Sequence, residues 1–406
     1  MSVEIRPARE EEMPAFKRVA LRSLMIPPEI APPEAIDAIR PEWTLCAFED
    51  GRLATAYAWW PLKMRFNGTS CPMAGVTYVG THPVYRRRGH LRKIVSRHFE
   101  IMHEKAEQPI SVLHASRAAI YHRYGYAVVS SRHAYSTAPR HLVFARTPEG
   151  CTDSGSLREL EAGQRDVIKD LYQRFCSDRT GYIHRARASW NAGVLAPPPE
   201  NGALFQIVYE ADGIPAGYVI YTARPGNKTG GRMQQKVFVR DLAWLSARAY
   251  DALWRHLSGM DLADEIQWAR VPPDDPLPHL VCEPAELNTR VSDGIMARIV
   301  DVGAAMSQRR YSAEGSICFD LVDDLCPWNR GRWLLEITGG HGEASRTRQA
   351  PEIVLPVDTL AMLMFGQISA SRAAEMGRLE VCDPKVLPAW DNLLKTQHPP
   401  FCPDFF

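Results

Sequence analysis

The stretch Val76-Thr77-Tyr78-Val79-Gly80-Thr81, followed by Arg86-Arg87-Arg88-Gly89-His90-Leu91, decides how the N-terminal part of the chain folds. The first stretch is rich in residues that favour a strand, and Pro83 ends it. After Gly89, apolar residues recur at helical spacing on one face, namely Leu91, Ile94, Val95, Phe99 and Met102. The basic loop that contains Gly89 is therefore predicted to join a strand to a helix.

A loop of this composition in this setting is suited to binding an anion. A helix N-terminus presents unpaired N–H groups and the positive end of the helix dipole to a phosphate or pyrophosphate. Gly89 lets the backbone approach the anion, and the arginines add charge and bidentate donors. Neither the P-loop pattern nor the three-glycine dinucleotide pattern is present. The remaining alternative is a solvated turn that happens to carry three arginines.

Outward from this loop, the sequence divides into three predicted segments, residues 1–145, 146–290 and 291–406. The first has a helical pattern over 10–24 and a hairpin at Asp50-Gly51. The second repeats this order, as a possible duplication, with a helix over 157–175, strands over 204–209, 216–221 and 237–244, and a helix over 247–257.

A proline-rich stretch, 271–284, precedes the third segment and marks a plausible boundary. In that segment we expect strands over 315–322 and 333–338 and helices over 357–365 and 369–376. The sequence Gly339-Gly340-His341-Gly342 follows a strand, but no helix follows it. We therefore interpret it as a hairpin turn and not as a nucleotide-binding loop.

Bulk properties limit the classes of function. A chain of 406 residues is long enough for two or three domains. With 48 basic and 47 acidic residues, it is expected to bind neither nucleic acid nor an anionic membrane surface. No apolar run approaches the roughly 20 residues of a membrane span, and charges interrupt the N-terminus, so we expect a cytoplasmic protein. The nine cysteines show no metal-binding spacing, which favours reduced thiols and no metal site.

Two motifs resemble a known superfamily. Arg86-Arg87-Arg88-Gly89-His90-Leu91 resembles the pyrophosphate loop of GCN5-related N-acetyltransferases. Farther on, the strand pattern Val112-Leu113-His114-Ala115-Ser116 precedes the helical pattern Ile120-Tyr121-His122-Arg123-Tyr124-Gly125-Tyr126. This order of strand, tyrosine-bearing helix, glycine and aromatic residue resembles the second signature of the same superfamily.

Further stretches narrow the resemblance. Leu113-His114-Ala115-Ser116, the stretch 292–302 and the terminal Phe405-Phe406 together resemble the enhanced intracellular survival acetyltransferase family. The resemblance implies an α/β (α+β) fold. It consists of two tandem mixed-sheet domains of the GCN5-related N-acetyltransferase (GNAT) type, of which the second is degenerate, followed by a sterol-carrier-protein-like α/β domain. It also implies a homo-oligomer, commonly a hexamer. Members acetylate amines of aminoglycosides and lysine side chains with acetyl-CoA.

The resemblance assigns candidate roles to residues of this chain. The coenzyme A site comprises Val79, Gly80, Thr81, Arg86, Arg87, Arg88, Gly89, His90, Leu91, Arg92, Ser116 and Arg117. Tyr78 and His114 match positions that flank the acceptor pocket. Tyr121 matches the general acid, and Phe406 supplies its terminal carboxylate as the base.

The chemistry of these two groups suits such roles. Tyrosine, with a pKa of about 10, stays protonated at neutral pH, although Tyr121 could instead be a packed aromatic as we expect for Tyr124 and Tyr126. An α-carboxyl group has a pKa of about 3.5, which burial against aromatic rings would raise. The proline-rich, aromatic sequence 399–406 is unlike a solvated tail. His114 is the rival base.

The acceptor stays open at this point. The leading hypothesis is an enzyme that acetylates primary amines, with aminoglycosides, lysine side chains or peptides, and polyamines as alternatives. Members of the family that bind aminoglycosides use acidic residues in the pocket. Here Phe405 is not acidic and residues 22–26 contain no carboxylate, so the resemblance argues against tight aminoglycoside binding. The second segment has no Arg-x-x-Gly loop after 237–244 and is not expected to bind coenzyme A. A lipid-binding protein with a vestigial acetyltransferase is the alternative from another class.

Overall fold

The computed structural model describes residues 2–25, 36–145, 155–161, 163–199, 202–229 and 232–406. The chain divides into two units, of which the first comprises residues 1–130, 294–400 and 405–406. The second comprises residues 131–293 and 401–404. Each unit therefore combines segments that are distant in the sequence. Among the described residues, no helix has both the length and the apolar composition that crossing a membrane requires.

The first unit contains a mixed sheet built mainly from the N-terminal segment. Its strands are β1 (Val3–Arg6), β2 (Cys46–Glu49), β3 (Arg52–Phe66), β4 (Thr69–Thr81), β5 (Ile110–Leu113), β6 (Ala127–Val128) and β14 (Met296–Ile299). They lie in the order β1-β2-β3-β4-β5-β14-β6. The hairpin predicted at Asp50-Gly51 is confirmed, and Gly51 adopts the left-handed conformation, with φ +77°, that its turn requires.

Helices cover this sheet where the apolar spacing predicts them. They are α1 (Met13–Ser23), α2 (His90–Lys105) and α3 (Ala118–His122). The predicted helix over 10–24 is confirmed from Met13 onward, while Glu10–Glu12 forms a 3-10 turn. In α2 the buried apolar residues are Ile94, Val95, Phe99 and Met102, as the spacing after Gly89 predicts. This face packs into one core with residues of β3, β4 and β5.

The second unit contains another mixed sheet. Its strands are β7 (Ser131–Thr137), β8 (Gly155–Glu159), β9 (Ala203–Ala211), β10 (Ile214–Thr229), β11 (Arg232–Trp244), β12 (Glu265–Val271) and β13 (Arg290–Asp293), in the order β13-β7-β12-β11-β10-β9-β8. Its helices are α4 (Asp166–Phe175), α5 (Arg187–Ala192) and α6 (Ala247–Ser258). The strands predicted over 204–209 and 216–221 form the antiparallel pair of β9 and β10, and the helix predicted over 247–257 is confirmed.

One predicted element in this unit is wrong in its first half. The sequence predicts a helix over 157–175, but residues 155–159 form strand β8 and α4 begins only at Asp166. β8 pairs antiparallel with β9, so that Leu157 lies opposite Tyr209. Pairing with a strand some fifty residues away outweighs local spacing, because strand formation depends strongly on its neighbours.

A third sheet lies in the first unit and is formed by the C-terminal segment. Its strands are β15 (Gly315–Val322), β16 (Gly331–Thr338), β17 (His341–Arg346), β18 (Ile353–Pro356) and β19 (Glu380–Val381), in the order β17-β16-β15-β18-β19. Its helices are α7 (Val302–Ser307), α8 (Val357–Phe365), α9 (Ala370–Glu375) and α10 (Leu387–Leu394). The hairpin predicted at Gly339-Gly340 is confirmed between β16 and β17.

The start of the predicted third segment contributes to the other two sheets. β13 pairs with β7, and β14 pairs with both β5 and β6. Short alternating strands carry no signal of the sheet they will join, since that is decided by distant backbone partners. The boundaries 1–145, 146–290 and 291–406 therefore stay a prediction.

Candidate active site

Strand β4 contains a bulge at the stretch that the sequence singles out. Ala58 pairs with Thr77 and Ala56 with Gly80, so Tyr78 and Val79 together lie opposite the single residue Tyr57. Tyr78 has a φ of +50°, which is unusual for a residue with a large side chain. Bulges of this kind occur beside active sites, where they redirect side chains and end strand pairing.

Just before this bulge, β4 loses the neighbouring strand β5 on one edge. β4 pairs in parallel with β5 from Met73–Ile110 to Val76–Leu113 and then continues to Thr81. Among the described residues, no strand pairs with that edge of β4 beyond Val76. Backbone N–H and C=O groups of a strand require partners, so this edge can bind an extended chain that carries amide groups.

The predicted anion loop follows β4. Its first part is a 3-10 turn, Pro83–Tyr85, after which Arg86 donates from Nε to the carbonyl oxygen of Thr81 at 3.3 Å. Arg87 and Gly89 both have left-handed backbone conformations, with φ of +65° and +79°. A Cβ atom at Gly89 would have no described heavy atom within 4 Å. The backbone conformation therefore favours glycine there, and its Cα faces open space.

Helix α2 begins directly after this glycine. Gly89 is the N-cap, and the first intrahelical bond runs from the N–H of Lys93 to the carbonyl oxygen of Gly89 at 3.2 Å. The N–H groups of His90, Leu91 and Arg92 come before this first bond. At a helix start such groups have no intrahelical partner. The side chains of Arg86, Arg87, Arg88 and Arg92 are exposed beside them. The arrangement fits a pyrophosphate group.

Glu49 supports this loop, and sequence reasoning missed it. Its side chain is buried, lies 2.9 Å from Nε2 of His90 and forms an ion pair with Arg88. Arg88 also donates to the carbonyl oxygen of Val84 at 3.0 Å. The sequence presents Glu49 only as the first residue of a turn, because its partners are about forty positions away. The contacts hold the two residues that flank Gly89.

Tyr121 lies in α3, which follows the end of β5. Only 8% of the residue is exposed, and burial raises its pKa to about 12. Its ring packs edge-on against that of Tyr126 at 5.9 Å, and the hydroxyl of Tyr126 lies 2.6 Å from that of Ser111. A tyrosine in this setting keeps its proton throughout the physiological pH range and can donate it to a developing anion.

The last two residues of the chain lie against His114. The rings of Phe405 and Phe406 are centred 4.6 and 4.9 Å from the imidazole ring. A Cβ atom at Gly75 would lie 3.0 Å from Cδ2 of Phe406. Gly75 belongs to β4 and His114 directly follows β5, so the terminal residue lies beside the same two strands whose pairing ends here.

The residues just before them are held within the second unit. Asp404 accepts from Nε of Arg185 at 2.8 Å, and Arg270 donates to the carbonyl oxygen of Pro403 at 2.9 Å. Phe401 and Cys402 are buried. The proline-rich end of the chain is thus packed, in agreement with its composition.

The other predicted site residues lie around these features. Tyr78 is half-buried against the core that contains α1, and burial raises its pKa. Val79 packs against the hydrophobic core to which α2 contributes. A Cβ atom at Gly80 would lie 2.5 Å from Cβ of Ser23. Ser116 and Arg117 are exposed in the turn between β5 and α3.

In the second unit, the strand-to-helix junction that corresponds to β4 and α2 is that between β11 and α6, and its helix start is capped differently. After β11, the side chain of Ser246 accepts from the N–H of Ala249 at 3.2 Å and so caps helix α6. Gly89, in contrast, leaves the N-terminus of α2 without a side-chain cap. A capped helix start with no arginine-glycine loop supports the expectation that this unit does not bind coenzyme A.

Comparison with known families gives three matches along the chain. Two are to acetyltransferase (GNAT) domains, at residues 4–129 and 181–299, and one is to a sterol carrier protein domain at residues 302–403. With the three sheets formed by the described residues, these matches establish the fold class. Two acetyltransferase domains of mixed-sheet type precede a sterol-carrier-protein-like domain.

Individual relatives are similar over most of the chain. An uncharacterized N-acetyltransferase of Streptomyces avermitilis is 31% identical over 84% of this chain and 83% of its own length. The N-acetyltransferase Eis of Mycobacterium tuberculosis is 30% identical over 81% of this chain and 79% of its own length. The crystal structure of Eis1 from Mycobacterium abscessus covers 100% of both chains at 26% identity, with a TM-score of 0.83.

Proposed function

The chain belongs to the Eis family of GCN5-related N-acetyltransferases, and on this basis we propose that it transfers the acetyl group of acetyl-CoA directly to a primary amine. The family establishes an N-acetyltransferase that uses an acyl-CoA and an amine acceptor. The acetyl donor, the residues that act and the identity of the acceptor are our proposal.

The observation that carries this proposal is the position of Phe406. Its ring lies beside Gly75 in β4 and His114 after β5, where the pairing of these strands ends. An extended donor bound along the open edge of β4 would bring its thioester to the same opening. A terminal carboxylate at this opening can accept a proton from an attacking amine.

In this proposal the protein binds acetyl-CoA in two places, at its amide-bearing arm and at its pyrophosphate. The backbone of Val79, Gly80 and Thr81 pairs with the amide-bearing arm, and its N–H groups can bind the thioester oxygen as negative charge develops there. The pyrophosphate lies at Arg86, Arg87, Arg88, Gly89, His90, Leu91 and Arg92. Ser116 and Arg117 line the other side of the opening. Glu49 holds Arg88 and His90 in place for this contact.

The transfer then needs one base and one acid. The carboxylate of Phe406 takes a proton from the amine as the C–N bond forms. As the C–S bond breaks, the hydroxyl of Tyr121 gives a proton to the sulfur. The pKa of Tyr121, about 12, lies above that of an ordinary thiol, about 8.5, so a free phenolate would be unfavourable. The hydroxyl therefore gives its proton to the sulfur while it takes another proton from solvent.

The acceptor pocket is proposed to lie between Tyr78 and His114. Aminoglycosides, polyamines and lysine side chains all present primary amines, and the carboxylate of Phe406 is a negative charge beside which such a cation can bind. The side chain of Phe405 is 56% exposed and apolar, so it adds a hydrophobic surface where an acidic residue would have favoured polycations.

Thiol release with acetyl-CoA, measured across aminoglycosides, polyamines and lysine peptides, tests the proposed function. We expect acceptor-dependent release for at least one class, with the acetyl group recovered on a primary amine. Tight acetyl-CoA binding without transfer to any amine would overturn the proposal. The absence of acetyl-CoA binding would instead favour a lipid-binding protein with a vestigial acetyltransferase.

Family membership leads to further proposals about the whole chain. We propose a homo-oligomer, a hexamer by family resemblance, in the cytoplasm, without nucleic-acid or membrane partners. The segments 1–145, 146–290 and 291–406 remain the proposed domain division. Light scattering of the purified protein would test the hexamer directly.

A further inference from the structure

Strand β14 carries a fully buried arginine that forms an ion pair with a buried carboxylate. Arg298 is 0% and Asp323 is 2% exposed, and Nη2 of Arg298 lies 2.6 and 2.8 Å from the two carboxylate oxygens. Removing both charges from water is costly, and apolar residues often stabilise a protein equally well. The pair therefore calls for a role other than stability alone.

The remaining donors of Arg298 bind backbone carbonyl groups. Nε donates to the carbonyl oxygen of Tyr124 at 3.0 Å, and Nη1 donates to that of Ile299 at 2.6 Å. Tyr124 is the second residue after α3, and its N–H donates to the carbonyl oxygen of Tyr121 at 2.9 Å. The carbonyl groups at a helix C-terminus lack intrahelical partners, and Arg298 supplies one here.

The chain reverses direction directly against this arginine. Gly125 has a φ of +77°, and a Cβ atom there would lie 2.9 Å from Nε of Arg298 and 3.0 Å from Cγ1 of Val357. The backbone after α3 thus approaches Arg298 as closely as only glycine allows. The position of the end of α3 is set by where the guanidinium group lies.

Asp323 is itself fixed by the loop that follows β15. Its Oδ1 accepts from the backbone N–H groups of Leu325 and Cys326, each at 3.1 Å. Its Oδ2 accepts from Nδ2 of Asn329 at 3.0 Å, and Asn329 is 1% exposed. The carboxylate is therefore a rigid point to which Arg298 and, through it, the end of α3 are attached.

We propose that Arg298 and Asp323 are positioning residues that set the orientation of Tyr121 for proton transfer. The inference rests on the proposed role of Tyr121 as the acid. Helix α3 has only five residues, which is too short to be stable by itself, so its ends determine its orientation. Asp323 lies within residues 302–403, so the sterol-carrier-protein-like segment takes part in acetyl transfer by this route.

Arg298→Lys tests the proposal, because lysine keeps the charge but cannot bind the carboxylate and the Tyr124 carbonyl group in the same planar geometry. We expect kcat to fall about 10- to 100-fold, while the KM and the Kd for acetyl-CoA stay unchanged. Arg309→Lys is the matched control. Arg309 is also buried and donates to backbone carbonyl groups, those of Met364 and Leu394. It should lose stability without losing kcat.

The double variant separates this inference from the function on which it rests. If Arg298 acts through Tyr121, then Tyr121→Phe with Arg298→Lys should have the kcat of Tyr121→Phe alone. Unchanged kcat in a folded Arg298→Lys protein, or equal loss in Arg309→Lys, overturns the positioning role. Unchanged kcat in Tyr121→Phe overturns the proposed acid instead. If Arg298→Lys does not fold, Asp323→Asn gives the same comparison, because it removes the charge and keeps the shape.

Discussion

The ring of Phe406, the last residue of the chain, lies 4.9 Å from the imidazole ring of His114, with the two planes inclined by 53°. The terminal carboxylate is bonded to the Cα that carries this side chain. Holding the ring therefore confines the carboxylate to the end of β5. A chain terminus usually frays, and the packing of this ring against the end of β5 supports the proposal that the carboxylate acts as the base.

Removing the terminal carboxylate from this position should abolish most activity. Deletion of Phe406 places the new carboxylate one residue too early, and a C-terminal tag converts the carboxylate into an amide. We expect both to lower kcat by about 100-fold or more, since proton transfer depends on close positioning. Turnover is compared at matched melting temperature and oligomer size.

Two controls make this test specific. Phe406→Leu keeps the carboxylate and should retain substantial activity, and an N-terminal tag should be harmless. Full activity in a C-terminally tagged protein would exclude the carboxylate and make His114 the leading candidate for the base.

Loss of the Tyr121 hydroxyl should slow the reaction without weakening donor binding. Tyr121→Phe keeps the packed ring and should lower kcat by roughly 10²–10⁴-fold, with the Kd for acetyl-CoA unchanged. Because burial raises the pKa of Tyr121 to about 12, this group should cause no decline in the parent rate up to about pH 10. Stopped-flow thiol release measures both the fall in kcat and the pH dependence of the parent rate.

Tyr124→Phe is the matched control, since Tyr124 is 5% exposed and belongs to the same aromatic core. Its hydroxyl has no part in the proposed transfer. A Tyr121→Phe enzyme as fast as Tyr124→Phe, when chemistry limits turnover, removes Tyr121 from the mechanism.

The strand, loop and helix around Gly89 could be predicted because their signals are local. Strand-forming residues, a proline stop, a glycine with positive φ and a 3.6-residue apolar repeat are all contiguous in the sequence. The bulge at Tyr78 gives no such signal, because tyrosine in a β-rich stretch indicates regular strand. A positive φ there is imposed by the register between β3 and β4.

The long-range parts of the site could not be predicted from spacing. Glu49 reaches His90, and Arg298 reaches Asp323 and Tyr124, only after separate elements have paired. The terminal Phe406 entered as a candidate through family resemblance, and no periodicity in the sequence would have directed it to His114. Such contacts are tertiary and leave no local pattern.

A side chain at Gly89 should weaken acetyl-CoA binding. Gly89→Ala must adopt a left-handed conformation, with φ +79°, at a strain of roughly 1–2 kcal/mol, and it places a methyl group where the pyrophosphate would approach. We expect the Kd for acetyl-CoA to rise about tenfold by calorimetry, which corresponds to about 1.4 kcal/mol.

Gly213→Ala supplies the control for backbone strain. Gly213 has a φ of +76° in the hairpin between β9 and β10, and a Cβ atom there also has no described heavy atom within 4 Å. Both variants should lose similar stability. Equal affinity for acetyl-CoA in the two folded variants would count against the loop at Gly89 as the anion site.

The stability of the second unit should depend on the ionisation of Asp275. This carboxyl group is 4% exposed, and burial raises its pKa to about 7, although the hydroxyl groups of Tyr135 and Tyr250 donate to it at 3.1 and 2.8 Å. An unfolded aspartate has a pKa of about 3.9. Between these two values only the folded state keeps the proton. The free energy of unfolding should therefore fall as the pH rises from about 4 to about 7, and level off above that.

Asp275→Asn removes this titration while keeping an oxygen that can accept from both tyrosines. Relative to the parent, the variant should gain stability as the pH rises from 4.5 to 8, by about 3 kcal/mol, in urea unfolding at each pH. Asp212→Asn makes the same charge change at an exposed turn of the same unit and serves as the control. A difference between Asp275→Asn and the parent that shrinks with rising pH would mean that the folded state favours the ionised carboxylate. The three donors around Asp275, including the N–H of Leu277 at 3.1 Å, would then outweigh its burial.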